Sequence, residues 1–216
     1  MRPKFLLILL PLLLVGCRQS SESIPVIRNE THYGQVLAEA EKLSRPIVER
    51  FEVGYPPTDA EKADLRKALR QLQGLAIFQE GAYGLYVAQG KIHRALEEND
   101  LALGAYDMAL ANRPERPGPG DIAVLTAALR DSVELWILRQ DYKEAEACAL
   151  EAIEMEPSNP DNLVAFASAK IEQRELEEAK TALDKALAME PNNPGALRLK
   201  GLLQANEPSK PAPKSP

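Results

Sequence analysis

Met155-Glu156-Pro157-Ser158-Asn159-Pro160 and Met189-Glu190-Pro191-Asn192-Asn193-Pro194 are nearly the same hexapeptide, placed 34 residues apart. The offset holds upstream, carrying Tyr142 to Leu176, Ala145 to Ala179, Ala152 to Ala186 and Ile153 to Leu187. A fixed period of this length, with two helices per unit, is the sequence mark of a helical solenoid. The stretch Asp141 to Ile153 shows why. Its small residues Ala145, Cys148, Ala149 and Ala152 fall at helical spacing on one face. Alanine favours helix and lets two helix axes approach closely. Pro157 ends the helix, because proline lacks an amide donor and disfavours helix at the residue before it. Asn159-Pro160 then opens the next helix, with proline accepted in a first turn.

This pattern resembles the tetratricopeptide repeat family. A third unit lies upstream, where Ala102, Tyr106, Ala109 and Pro114 keep the internal offsets of Ala145, Ala149, Ala152 and Pro157. Its first helix carries Tyr86 and Gly90 at the family's aromatic and small-residue positions. The resemblance implies an all-α fold, a right-handed superhelical solenoid of antiparallel helix pairs. Three repeats are expected over 83–193, and a lone capping helix over 194–206, where Ala196 to Leu203 reads as a first helix without a second. Two departures stand out. Pro114 and Pro157 are 43 residues apart, which predicts an inserted loop near 115–120, and the family's first-helix glycine is replaced by Val133 and Ala167. Upstream, Thr58-Asp59-Ala60-Glu61 reads as a capping box opening a long helix, with Ala68, Leu72 and Leu75 at second-helix positions. Before it, Val36, Leu37, Ala40, Leu43, Ile47, Val48 and Phe51 form a helical stripe interrupted at Pro46. Residues 31–82 are therefore read as a degenerate repeat or an N-terminal helical hairpin.

The N-terminus reads as targeting rather than fold. Arg2 and Lys4 precede the apolar run Phe5 to Val15, a length that suits a signal peptide over 1–16 rather than a membrane span. Leu14-Val15-Gly16-Cys17 resembles the bacterial lipobox, which implies cleavage before Cys17 and its lipidation. Multiple acyl chains anchor far more durably than one. Residues 17–30 then form a flexible tether, reaching roughly 20 Å on average. Arg18, where an aspartate would favour inner-membrane retention in enteric bacteria, points to an outer membrane facing the periplasm. Residues 207–216 are Pro-, Ser- and Lys-bearing and expected to be disordered.

The net charge is −6 and the pI about 5.2. Between Asp121 and Glu190 acidic residues outnumber basic ones about two to one, which argues against a nucleic-acid partner. With Cys17 lipidated, Cys148 has no disulfide partner and reads as a packing thiol. No set of polar groups converges as catalysis requires. His32 and His93 are not at metal-ligand spacing; His93 is read as a core or interfacial residue, and His32 as exposed. Glu97-Glu98-Asn99-Asp100 lacks the alternating ligands and central glycine of a calcium loop. The glycines near Gly81, Gly84 and Gly90 follow no strand, so they form no nucleotide loop. No metal and no cofactor are expected, and the chain is not expected to be an enzyme.

What remains is recognition. In the family the first helices line a concave groove, here Val87, Lys91, Arg94, Arg130, Glu134, Ile137, Leu138, Val164, Ser168, Ile171 and Arg198. Apolar patches alternate with Arg and Lys there, which suits an extended or helical peptide. Some family members clamp a peptide's carboxylates with paired Asn and Lys; Glu134 and Ser168 stand at those places, so that activity is not carried over. The resemblance implies a membrane-anchored adaptor or scaffold for a protein or peptide partner in the cell envelope. Lipoproteins with such repeats serve secretion, pilus and outer-membrane assembly machines. Alternatives are a docking accessory for a cell-wall hydrolase or protease, and a solenoid binding a small ligand or glycan.

Overall fold

The computed structural model describes residues 24, 26–28, 30–78 and 82–205. The signal segment 1–16, Cys17, most of the tether and the tail 207–216 lie outside the described residues. Every regular element among them is an α-helix: α1 Glu30–Glu52, α2 Asp59–Phe78, α3 Tyr83–Ala95, α4 Asn99–Ala111, α5 Pro119–Leu138, α6 Tyr142–Met155, α7 Pro160–Glu172, α8 Leu176–Met189 and α9 Pro194–Ala205. Four antiparallel pairs, α1/α2 to α7/α8, stack in chain order and α9 closes the stack. This is the helical solenoid that the period predicts.

The turn inside each of the last three pairs is built the same way. Three residues separate the helices, and the middle one is left-handed: Glu97 (φ 62°), Gln140 (φ 65°) and Arg174 (φ 65°). The amides of Glu98, Asp141 and Glu175 reach back to the carbonyls of His93, Trp136 and Lys170 at 2.9–3.0 Å. These bonds, with those of the middle residues, satisfy carbonyls that a helix end leaves orphaned.

Of the expected loop near 115–120, residues 115–118 are loop and the last two are helix. The linker after α4 runs from 112 to 118, and Pro119 and Gly120 already belong to α5, which has 20 residues against 13 in α3 and α7. Pro119 has no amide to satisfy in a first turn. The amide of Gly118 donates to the Asp121 carboxylate at 2.8 Å, and the Tyr83 hydroxyl bonds the same carboxylate from α3. That bond first, and then burial, pushes the Tyr83 phenol up to about 12. The N-terminal hairpin differs in one respect too. Helix α1 runs unbroken through Pro46, because Val36 and Ala40 before it and Ile47 and Val48 after it are all buried in one cluster with α2 and α3. That packing outweighs the lost hydrogen bond. At α2 the capping box forms: the Thr58 amide donates to Glu61 at 2.8 Å, and the Glu61 amide approaches the Thr58 hydroxyl at 3.4 Å. Ala68, Leu72 and Leu75 are buried as placed.

Side-chain sizes are traded across each helix crossing. Gly90 lies against the ring of fully buried Tyr106, and a Cβ at 90 would overlap that ring. The equivalent pair one unit on is Val133 and Ala149, packed in one cluster. One unit further it is Ala167 and Leu183, again in one cluster. Glycine faces tyrosine, valine faces alanine and alanine faces leucine. The departures from the family's glycine are thus matched by smaller partners, which keeps the contact close-packed.

Two identical substitutions should therefore act in opposite directions. Gly90→Ala forces the Tyr106 ring aside and is expected to cost about 1–3 kcal/mol, the usual range for overpacking. Gly104→Ala, in an open stretch of α4 with nothing near its Cβ position, is expected to stabilise by about 0.5–1 kcal/mol. Thermal or urea unfolding of both variants checks the pair; equal effects would show that Gly90 is not at a crossing.

Candidate functional site

Helices α3, α5, α7 and α9 are the first helices of successive units, and they bring the expected groove residues into rows. The repeat offsets align Val87, Arg130, Val164 and Arg198; Lys91, Glu134, Ser168 and Leu202; and Arg94, Ile137 and Ile171. The two ends of these rows behave differently.

At the N-terminal end the polar groups satisfy one another. Lys91 on α3 reaches Glu52 of α1 at 2.7 Å. Arg94 is bound by Asp131 and, at 2.5 Å, by Glu134, both on α5. The Tyr106 hydroxyl donates to the second oxygen of Asp131 at 2.8 Å. Burial opposes the charge on Arg94, but Asp131 and Glu134 outweigh it and its pKa rises. Val87 is buried against α4 and α5 rather than displayed. Arg130 does not line the open groove and donates to the side-chain oxygen of Asn162 at 2.8 Å.

Asn162 is a structural centre that the sequence reading did not single out. It is fully buried in α7. Its amide nitrogen donates to the carbonyls of Ala152 (2.9 Å) and Glu156 (3.0 Å) at the end of α6. One side chain thus caps α6 and bridges through Arg130 to α5. The available signal was a lone amide between the proline-marked helix start and the apolar run Leu163–Ala169. Lys170, buried two turns later, plays a similar part. It lies 2.8 Å from Glu146, 2.6 Å from Glu175 and 3.1 Å from Glu178, and 5.4 Å from the centre of the Phe166 ring. Burial works against its charge, yet the hydrogen bonds to Glu146, Glu175 and Glu178 raise its pKa.

The C-terminal end of the rows is open. A groove of about 530 Å³ brings together Glu134, Ile137, Leu138, Ser168, Ile171 and Arg198, six of the expected residues. It adds Glu172, Leu199, Leu202 and Leu203. Leu138 is 69% exposed and Leu202 50%, so the floor offers apolar surface to a partner. Leu202 was legible as the repeat equivalent of Ser168, one turn on from Arg198 in the same helix. Val164 is not part of this groove and spaces α7 from Gly195 of α9. The Ser168 hydroxyl donates to the Val164 carbonyl at 3.1 Å, leaving its lone pairs available.

Elsewhere, His93 is buried and its Nδ1 lies 2.7 Å from Glu98. His32 is half-buried rather than exposed, and the Arg28 amide donates to its Nδ1 at 3.3 Å. Cys148 is half-buried, and burial first, then Asp107, Glu151 and Glu144, pushes its thiol up to about 11. Such a thiol is protonated and inert at neutral pH. No cluster of three or more potential metal ligands occurs among the described residues, and none of their helices is long and apolar enough to cross a membrane.

Residues 137–203 match the tetratricopeptide repeat family model. No curated protein sequence matches the chain. Solved structures share its fold at low identity. MamA (41 to the end) from Desulfovibrio magneticus RS-1 is 18% identical with a TM-score of 0.55, over 77% of this chain and 85% of that one. A tetratricopeptide repeat protein from Parabacteroides merdae ATCC 43184 is 18% identical with a TM-score of 0.58, over 79% and 60%. An assembly chaperone of RpL4 is 17% identical with a TM-score of 0.50, over 80% and 75%. The all-helical solenoid is therefore of the tetratricopeptide repeat type.

Removing the bridge should loosen the groove walls together. Asn162→Ala leaves two carbonyls and the Arg130 guanidinium without their partner, and is expected to cost about 2–3 kcal/mol. Asn159→Ala, which removes only the cap of α7 at Asp161 and a bond to Glu156, is expected to cost about 1 kcal/mol. Denaturant unfolding checks the order, and a reversed order would show that the bridge does not couple α5, α6 and α7.

Proposed function

We propose that this chain is a non-enzymatic adaptor of the bacterial cell envelope. It holds a protein or peptide partner in the C-terminal half of the concave groove and is tethered to a membrane through lipid on Cys17. The observation that carries the reading is the contrast along one surface. Lys91, Arg94 and Arg130 are consumed by internal bonds, whereas the apolar floor of Ile137, Leu138, Ile171 and Leu202 stays open. Exposed apolar surface in a concave, partly charged setting marks interaction sites on soluble domains. A peptide binding there gains by covering Leu138 and Leu202 and needs no rearrangement of the polar half.

The anchor rests on the complete lipobox Leu14-Val15-Gly16-Cys17 after an apolar run of signal-peptide length. Arg18 supports the outer membrane, periplasmic side, where the host has one. The groove lining contains no aromatic ring, which favours a peptide over a glycan.

Both halves of the reading meet in one experiment. A photo-crosslinking amino acid at Leu138 should capture a discrete partner in native membranes, while the same group at Leu150, half-exposed on α6, should not. Cys17→Ser should abolish lipid labelling and leave the protein unprocessed, still carrying its signal segment. Identical products from both crosslinker positions would remove the groove as the docking site. A processed, membrane-bound Cys17→Ser protein would remove the anchor.

A further inference from the structure

We infer that the open half of the groove selects a basic–apolar segment, one that carries lysine or arginine beside its apolar anchors. The inference rests on the groove being the docking site and adds the chemistry of what docks there.

Charge in and beside the groove does not balance. The groove is lined by Glu134 and Glu172 with Arg198, and beside it Asp131 and Glu134 share Arg94. Arg94 is already shared, its two terminal guanidinium nitrogens going to Asp131 and Glu134, and its side chain is only 17% exposed. It has little left to offer a ligand. Glu134 remains accessible, at 66% of its side-chain surface, yet it stands in a concavity walled by three helices. Desolvation first, opposed by Arg94 and reinforced by Asp131, raises the pKa of its carboxyl. A cation delivered by a partner would relieve that excess. Glu172 is exposed and makes no ion pair or hydrogen bond within the described residues.

Helix geometry adds a field of the same sign. Glu134, Leu138, Ile171 and Glu172 lie in the last turns of α5 and α7, which end at Leu138 and Glu172. The carbonyl ends of two helices therefore lie beside this part of the groove, and such ends favour positive charge. Basic residues do stand at these ends, Arg139 as the C-cap of α5 and Lys170 in the last turn of α7, but Arg139 is paired with Asp100 and Asp141, and Lys170 with Glu146, Glu175 and Glu178. On the far side, Arg198 is the one groove cation without a hydrogen bond or ion pair among the described residues, though it lies near enough to Glu134 to lower that carboxyl. The net charge of −6 adds long-range attraction for a cation.

The floor sets the partner's other half. Ile137 on α5, Ile171 on α7 and Leu202 on α9 stand on successive helices, about 10 Å apart at ordinary packing distances. A segment crossing them meets three apolar positions over roughly 20 Å. That is about six residues if extended, or about a dozen if helical.

The test uses the folded chain and two labelled peptides of about a dozen residues, one of leucine, alanine and lysine, the other with every lysine replaced by glutamate. Fluorescence anisotropy at low salt reads affinity. The lysine peptide should bind more tightly than the glutamate peptide. Glu172→Lys should weaken it by roughly five- to tenfold, and Arg198→Glu should strengthen it by a similar factor. Ile171→Asp should abolish binding of the lysine peptide. Glu177→Lys, which makes the same charge change on the outer helix α8, should have less than about a twofold effect. Tighter binding of the glutamate peptide would overturn the charge assignment while leaving the groove as the site. An effect of Glu177→Lys equal to that of Glu172→Lys would show attraction to net charge rather than to the groove. If neither peptide binds, or if Ile171→Asp changes nothing, the groove itself fails and the inference falls with it.

Discussion

The structure depends on how closely the two helices of each unit approach where they cross. Three crossings in this chain solve that constraint with three different pairs: Gly90 with Tyr106, Val133 with Ala149, and Ala167 with Leu183. Neither member of a pair is fixed by itself. What is held is their combined volume, as close packing requires. Around each pair the flanking alanines Ala102, Ala145 and Ala179, with Ala109, Ala152 and Ala186, are fully buried, so there is little slack to absorb an error in size.

The groove inherits its geometry from those crossings, because the first helices can stand side by side only if each is held by its own second helix. Polar ties then make the walls act together. Arg94 links α3 to α5 through Asp131 and Glu134. Asn162 and Arg130 link α5, α6 and α7, and Lys170 links α7 to α6 and α8. A stack of this kind gains its stability from interfaces between nearest neighbours. These ties cross such interfaces with buried, hydrogen-bonded groups that are costly to leave unpaired. They also use up Lys91, Arg94 and Arg130 in the groove's N-terminal half, which is the reason the other half is the one proposed for recognition.

Much of the fold was legible from the repeat. The hexapeptide around Pro157 and Pro191 located two units, and Ala102, Tyr106 and Ala109 located a third. Thr58 and Glu61 marked the start of α2. Two features escaped because the same residues permit two structures. Pro119-Gly120 reads as loop, yet proline also opens helices, and Asp121 holds this one in place through the Gly118 amide and through Tyr83, 38 residues away. Pro46 reads as a break until the burial on both sides of it is counted. The site was legible only in outline. Offsets identify which helix face a residue occupies, and so Leu138 and Ile171 could be named. They do not say whether an arginine is paired, and Arg130 and Arg94 proved to be structural. Asn162 carries no periodic signal, because its repeat equivalent is Ala196.

The account's central claim is that combined volume at the crossing fixes each unit, and a double-mutant cycle at the second crossing tests it directly. Ala149→Leu alone should cost about 1–3 kcal/mol by overpacking against Val133. Adding Val133→Ala recreates the Ala167/Leu183 pair found one unit later. Denaturant unfolding of the two single variants and the double should show the double more stable than the sum of singles by at least about 1 kcal/mol, the mark of coupled neighbours. Additive losses would contradict the claim and show that the two positions do not share one space.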